Sequence, residues 1–243
     1  MVKKIILYGL LLISFIGLIF SAYKIICWYI DNQKTQEQIK NVEKFIEENS
    51  KDSTDNNMTI DFTSLIKENK ETKGWIQIPN TNINYPFVQH KDNSYYLTHS
   101  FDNSYNNAGW IFLDYRNSIE LLDTNTIIYG HGRVDGTMFG SLKNILTEEW
   151  LNDSNNYKIR IYLPENTYTY EIFSAYHVNT TDDYLKTNFN SIEEYEEFLN
   201  LIKNRSTYSF PTNVTTNDKI ITLSTCYNDK EKMVVHGKLI VEN

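Results

Sequence analysis

Residues 5–23 form an uncharged apolar run, preceded by Lys3 and Lys4. As an α-helix this run would span roughly 28 Å, close to the hydrocarbon thickness of a bilayer. A cleaved signal peptide competes for the same residues, but signal sequences have shorter apolar regions that end in small-residue sites. Here the run continues through Lys24 into "IICWYI". It is read as an uncleaved, single-pass anchor in the cell membrane. The two leading lysines place its amino terminus in the cytoplasm and the remaining ~210 residues on the extracytoplasmic side.

The rest of the chain must then fold outside the membrane. The 243 residues are 41% hydrophobic and 14% aromatic, enough for one sizeable core. The formal net charge is −8, with no long Lys/Arg run in the polar part, so nucleic acid is not an expected partner. There are two cysteines, Cys27 at the membrane edge and Cys226 near the carboxyl end. The outer part therefore has one thiol and no disulfide partner for it. A lone extracytoplasmic cysteine is open to oxidation; it is either a buried small hydrophobe or a reactive group.

Three regions are expected: residues 1–30 as cytoplasmic tip and transmembrane anchor, 31–58 as a helical and linker segment, and 59–243 as a catalytic domain. In the second, Ile39, Val42, Phe45 and Ile46 recur at helical spacing before the polar stretch "NSKDSTDNN". A short helix is predicted over 61–69. From Gly74 onward eight short apolar or alternating runs, broken by Asn, Asp, Gly and Pro, predict an antiparallel or mixed β-barrel or sandwich. Two helices interrupt the strands. One covers 137–146; the other, 191–206, opens with the capping-box pair Ser191 and Glu194 and carries Ile192, Tyr195, Phe198, Leu199 and Ile202 on one face.

The strand "KIITLSTC" ends at Cys226, which is where a nucleophile could be presented. A nucleophilic thiol needs a histidine to remove its proton or pair with its thiolate. Of the five histidines, His131 is the candidate: it ends a strand between two glycines, where the backbone can turn and the ring can project from the sheet. His236 sits inside a strand and reads as structural. His90, His99 and His177 read as partly exposed polar residues. No histidine or cysteine spacing suits a metal, so neither metal nor other cofactor is expected.

"TLSTC" at a strand end, "YGH" about 95 positions earlier and "DGTMFGSL" after that histidine resemble the sortase family of Gram-positive cell-wall transpeptidases. The amino-terminal anchor and helices, the block from "GWIQIP" to "FLDYRNS" and the long helix between late strands are similar to its class B branch. The resemblance implies an eight-stranded β-barrel with amino-terminal helices. It implies that Cys226 attacks the Thr carbonyl of a C-terminal sorting signal, of the N-P-x-T-x or related P-x-T type, with His131 as acid and base. An acyl-enzyme thioester forms, and an amine of peptidoglycan or its lipid-linked precursor resolves it. The implied partners are secreted proteins bearing that signal, the cell-wall amine, and the membrane through residues 5–23.

The family's third residue is an arginine on the strand after the cysteine. Lys232 stands at that position, and no arginine follows Arg205. Lysine supplies charge and a donor but no planar bidentate fork. Arg133, in the loop after His131, is the alternative donor. The resemblance also implies Ser224, Asn93 and Leu97 as lining for the sorting-signal groove; Asn93 and Leu97 would share a face if "DNSYYL" were helical. Two other functions share these residues: a cysteine peptidase or peptidoglycan hydrolase with water as acceptor, and a weakly active surface protein on the same fold.

Overall fold

The computed structural model describes residues 2–46, 58–118, 123–179, 181–226 and 231–240. The polar stretch 47–57 and residues 227–230 after Cys226 lie outside the described residues. Eight strands close into one barrel: β1 (Thr72–Gln77), β2 (Asn84–Val88), β3 (Phe112–Leu113), β4 (Asn125–His131), β5 (Lys158–Tyr162), β6 (Thr167–Asn179), β7 (Ile220–Cys226) and β8 (Glu231–Ile240), in the order β1-β2-β3-β4-β7-β8-β6-β5. Closure comes from β1, which pairs antiparallel with both β2 and β5. Two neighbouring pairs are parallel, β2 with β3 and β4 with β7.

Each of the eight runs legible in the sequence contributes one strand. β3 is shorter than its run because only Phe112 and Leu113 pair regularly. Gly109 turns with φ +59°, a backbone region that other residues adopt at a cost, and Trp110 instead sends its indole N–H to the Pro86 carbonyl at 2.9 Å. Inside the barrel, Ile76, Phe87, Ile111, Ile128, Ile159, Ile161, Ile221, Leu223 and Val235 are fully buried. The alternate face of β7 and β8 is covered in turn by α4 (Ile192–Asn204), whose Tyr195, Phe198, Leu199 and Ile202 pack with Ile220 and Val234 in a second apolar cluster. Ser191 caps α4 by accepting from the Glu194 amide at 3.1 Å, while the Glu194 carboxylate reaches back to the amide of Asn190 at 2.8 Å rather than to Ser191 itself.

Three more helices complete the fold: α1 (Val2–Glu43), α2 (Phe62–Glu68) and α3 (Glu148–Leu151). The helix predicted for 137–146 is a 3-10 helix confined to Gly140–Leu146, because Met138 adopts φ 52° and interrupts any α-helical entry. α1 is one continuous helix. Its amino-terminal apolar part is long enough to cross a bilayer and is not buried by any of the described residues. Its last turns dock on the barrel: Thr35 and Val42 are buried, and Asn106 donates to the Thr35 hydroxyl at 3.0 Å.

His236 lies under α4, fully buried, with its ring nitrogens 3.0 Å from the Tyr176 hydroxyl and 2.9 Å from the Thr222 hydroxyl. Burial pushes its pKa from the ordinary 6.5 down to about 3, with the charge of Arg205 acting in the same direction. The folded state therefore binds fewer protons than the unfolded chain between pH 6.5 and 3. Its contribution to stability is complete above 6.5 and is lost as pH falls through that window, by up to about 1.4 kcal/mol per pH unit. In denaturant titrations the stability gap between the wild-type chain and His236→Gln should narrow steadily from pH 6.5 toward 3. A constant gap would show that the imidazole is not held neutral.

Candidate active site

β4 and β7 run parallel, and their ladder pairs seven successive residues from Asn125↔Ile220 to His131↔Cys226. Both strands end at this last pair, at one rim of the barrel. Parallel neighbours keep equivalent residues on the same side of the sheet. The two candidate reacting residues, 95 positions apart in the chain, are thus adjacent ladder partners.

The His131 ring is held by its far nitrogen. Nε2 donates to the Leu97 carbonyl at 2.8 Å, and since a carbonyl can only accept, Nε2 carries the proton and Nδ1 is left as the basic nitrogen. Burial lowers the His131 pKa; the Leu97 hydrogen bond works against that, and the positive charge of Arg133 adds to it, so the net direction is down. A neutral imidazole with a free Nδ1 is the form that can take a proton from a thiol.

The Leu97 carbonyl is itself supported. Leu97 ends a 3-10 turn, Tyr95–Leu97, built on Asp92, whose carboxylate accepts from the Ser94 amide, the Ser94 hydroxyl and the Tyr95 amide. Tyr95 is sandwiched between His90 and His99, with ring centroids 4.3 Å and 4.0 Å away. His90 is fixed by Glu71 at 2.7 Å and His99 by the Tyr95 carbonyl at 2.8 Å. Two histidines that the sequence presents as ordinary polar residues therefore clamp the turn that orients the third. His177 is exposed on β6.

Because the local structure is one 3-10 turn, Asn93 and Leu97 do not share a helical face. The Asn93 side chain donates to Asp114 at 3.0 Å and accepts from the Tyr115 amide at 3.0 Å, and Leu97 is half-buried. Ser224 is buried two residues before Cys226, with its hydroxyl 3.0 Å from that of Tyr184. Lys232 is the second residue of β8, half-buried and paired with Val178 of β6. The β7–β8 ladder runs as far as Ser224↔Val234; continued by two residues, its register brings Lys232 level with Cys226. Arg133 is committed elsewhere, to Asp135 at 3.0 Å, Thr137 at 2.9 Å and Asn32 of α1 at 2.8 Å.

One group below the ladder's end escaped sequence reading. The Asp114 carboxylate is fully buried and accepts from Arg116 at 2.7 and 2.9 Å, from the Tyr129 hydroxyl at 2.8 Å and from Asn93. Burial alone would raise its pKa, but the Arg116 and Tyr129 hydrogen bonds and the Arg116 charge prevail and hold it below the usual carboxylate range. Tyr129 precedes His131 by two positions and pairs with Ser224, so the alternation of "TIIYGH" did carry a signal for it. Nothing in "FLDYR" marks Asp114 as buried.

Gly109 is the tightest local constraint on His131. A Cβ there would lie 2.9 Å from the ring's Cδ2 and 2.4 Å from the Tyr96 carbonyl oxygen, at φ +59°. Gly109→Ala should lower stability by about 1–2 kcal/mol through the left-handed backbone alone. It should also lower kcat/KM by about 10²-fold, because a shift near 1 Å of a reacting group costs that much. Unfolding curves measured beside steady-state kinetics check both parts; unchanged kinetics in a folded variant would remove Gly109 from the account of His131.

A sortase domain family model matches residues 76–240. The sortase B of Listeria monocytogenes is 40% identical over 186 residues, covering 75% of this chain and 75% of that protein. A solved Bacillus anthracis protein described as similar to sortase B has 41% identity and a TM-score of 0.73, covering 89% of this chain and 98% of its own. A Staphylococcus aureus sortase B–substrate complex has 33% identity and a TM-score of 0.70, covering 87% and 93%. The structural likeness and the sequence match agree, and the chain therefore belongs to the sortase family, in its sortase B branch of cysteine transpeptidases.

Proposed function

We propose that the chain is a membrane-anchored transpeptidase that cuts a C-terminal sorting signal of the N-P-x-T-x or related P-x-T type after its Thr and joins the new carboxyl end to a peptidoglycan amine. The observation that carries this reading is the pairing of His131 with Cys226 at the shared end of β4 and β7. The S. aureus sortase B solved with substrate supports a peptide as the first substrate. The apolar part of α1 supports residues 5–23 as the anchor, with a cytoplasmic amino terminus.

The chemistry follows from the groups present. His131 Nδ1 takes the Cys226 thiol proton, and the sulfur attacks the Thr carbonyl carbon. As the C–N bond breaks, the imidazolium returns the proton to the departing amine, leaving a thioester. The acceptor amine then attacks the thioester carbonyl, its proton passing to His131 and back to the sulfur. Dividing one amide exchange into two acyl transfers lets an amine compete with water for the same acyl group. In this reading Lys232 stabilises the developing oxyanion in place of the family's arginine. Ser224, Asn93 and Leu97 shape the peptide groove. For Asn93 this role runs through the backbone of Tyr115 and the carboxylate of Asp114, which already hold its side chain.

Residues 31–243 retain the docked turns of α1, and quenched fluorescent peptides of N-P-x-T-x, S-P-x-T-G and L-P-x-T-G types are the direct assay. One peptide type should be cut, and Cys226→Ala and His131→Ala should each abolish cutting. Lys232→Ala should lower kcat/KM by about 10²–10³-fold, the usual effect of losing an oxyanion donor, whereas Lys232→Arg should retain activity. With an added amine the product should shift from free acid to amide. Cutting that survives Cys226→Ala, or a product that stays the acid at any amine concentration, would sink the transpeptidase reading.

A further inference from the structure

The strands fix which end of the barrel is which. β4 and β7 both run toward the rim that carries His131 and Cys226, whereas the turn at 163–166 between β5 and β6 lies at the opposite end. α1 is tied to the loops of the catalytic rim over residues 31–38, beyond its apolar segment. Asp31 accepts from Asn107 at 2.8 Å, Asn32 accepts from Arg133 at 2.8 Å, and Gln38 donates to Asp102 at 2.8 Å. From there the helix runs down the barrel wall to Val42, and the chain continues to Ile46, which bridges Ile60 next to α2. Asn32 to Glu43 covers about 16 Å of helix rise, so α1 is a rigid strut that descends from the catalytic rim toward the far end.

The interface-type residues of α1 lie immediately before that docked turn. Trp28 and Tyr29 are exposed, and aromatic side chains of this kind sit at the headgroup level of a bilayer. Asn32 follows Trp28 by four residues, about 6 Å along the axis. The two loops that clasp α1 at this height each present an exposed side chain. Val134, next to Arg133, is 93% exposed, and Tyr105, two residues from Asn107, is 60% exposed. Three acidic side chains of α1 and these loops hold polar partners: Asp31 bonds Asn107, Asp102 bonds Gln38 and Asp135 bonds Arg133.

We propose that the catalytic rim rests on the membrane surface, with the loops bearing Val134 and Tyr105 in the lipid headgroup layer. The His131/Cys226 end then opens toward the bilayer and the 163–166 turn points away from it. The inference rests on the reading of residues 5–23 as the anchor. It adds a fixed height, because no linker separates the span from the barrel. The site takes its peptide within one or two helical turns of the lipid surface, and the substrate it suits is a polypeptide whose scissile bond is held close to the bilayer.

The full chain, with Cys27→Ser and Cys226→Ala, is reconstituted into phosphatidylcholine vesicles that carry a nitroxide on the headgroup. An environment-sensitive fluorophore is attached at Val134→Cys or, separately, at the exposed far-end position Glu165→Cys, and an alkaline wash precedes the measurement. The expected result is a chain that stays in the vesicles, with fluorescence strongly quenched at 134 and unquenched at 165. A retained chain whose 134 label is unquenched, or quenched no more than 165, overturns the orientation and leaves the anchor standing. A chain released by the wash overturns the anchor reading and this proposal together.

Discussion

The parallel ladder between β4 and β7 is the constraint on which the site depends. Neither strand could bring His131 and Cys226 together alone, since the two form the last rung of seven. Side chains alternate with a period of two, so a slip by one residue would move every group on one strand to the opposite face. The register is held from both sides. On the inner face Ile128, Ile221 and Leu223 are buried in the barrel core. On the outer face Thr222 bonds Asn125 at 2.8 Å, Asn125 bonds the Lys186 carbonyl at 2.7 Å, and α4 covers Ile220 and Val234. Barrel closure removes the free edge at which such a slip could begin.

Parallel neighbours also need a long crossover, and everything between β4 and β7 belongs to it: the 3-10 helix Gly140–Leu146, α3, the β5–β6 hairpin and α4. The segment leading into α4 is fastened across the outer face. Asp183 receives both guanidinium nitrogens of Arg205 at 2.7 Å, Tyr184 meets Ser224, and Arg116 donates to the Leu185 carbonyl at 3.1 Å. Arg116 bonds Asp114 as well, so one buried carboxylate connects β3, Tyr129 on β4 and this segment. The same interactions that close the crossover build the floor beneath the reacting rung.

His131 is prepared by groups that never touch the thiol. Its burial and the charge of Arg133 favour the neutral ring, and the Leu97 carbonyl selects the proton position. That carbonyl depends on a turn organised by Asp92 and clamped by the His90–Tyr95–His99 stack. Arg133 in turn answers to Asn32 on α1, so the long amino-terminal helix and the loop that follows His131 are one structural unit. Lys232 departs from this level of preparation. A flexible ammonium cannot reproduce a planar fork, and what places it is the β6–β8 ladder.

Local pattern alone was enough for much of this protein. Strand alternation revealed all eight strands, Ser191 and the apolar face of residues 192–202 revealed α4, and the strand-end positions of His131 and Cys226 were legible as well. Each of these signals is written within a dozen neighbouring residues, where hydrophobic period and capping chemistry operate. The tertiary structure decided the rest. Asp114 becomes a buried hub through Tyr129, 15 residues away, His90 is fixed by Glu71, 19 residues away, and Arg133 catches Asn32 from 101 residues away. The helix expected at 137–146 is 3-10 over Gly140–Leu146, after the left-handed Met138, and Asn93 and Leu97 share no helical face because Asp92 organises a single 3-10 turn there. Propensity and periodicity are sums over near neighbours, whereas register, burial and the direction of a hydrogen bond are set only when distant strands close on one another.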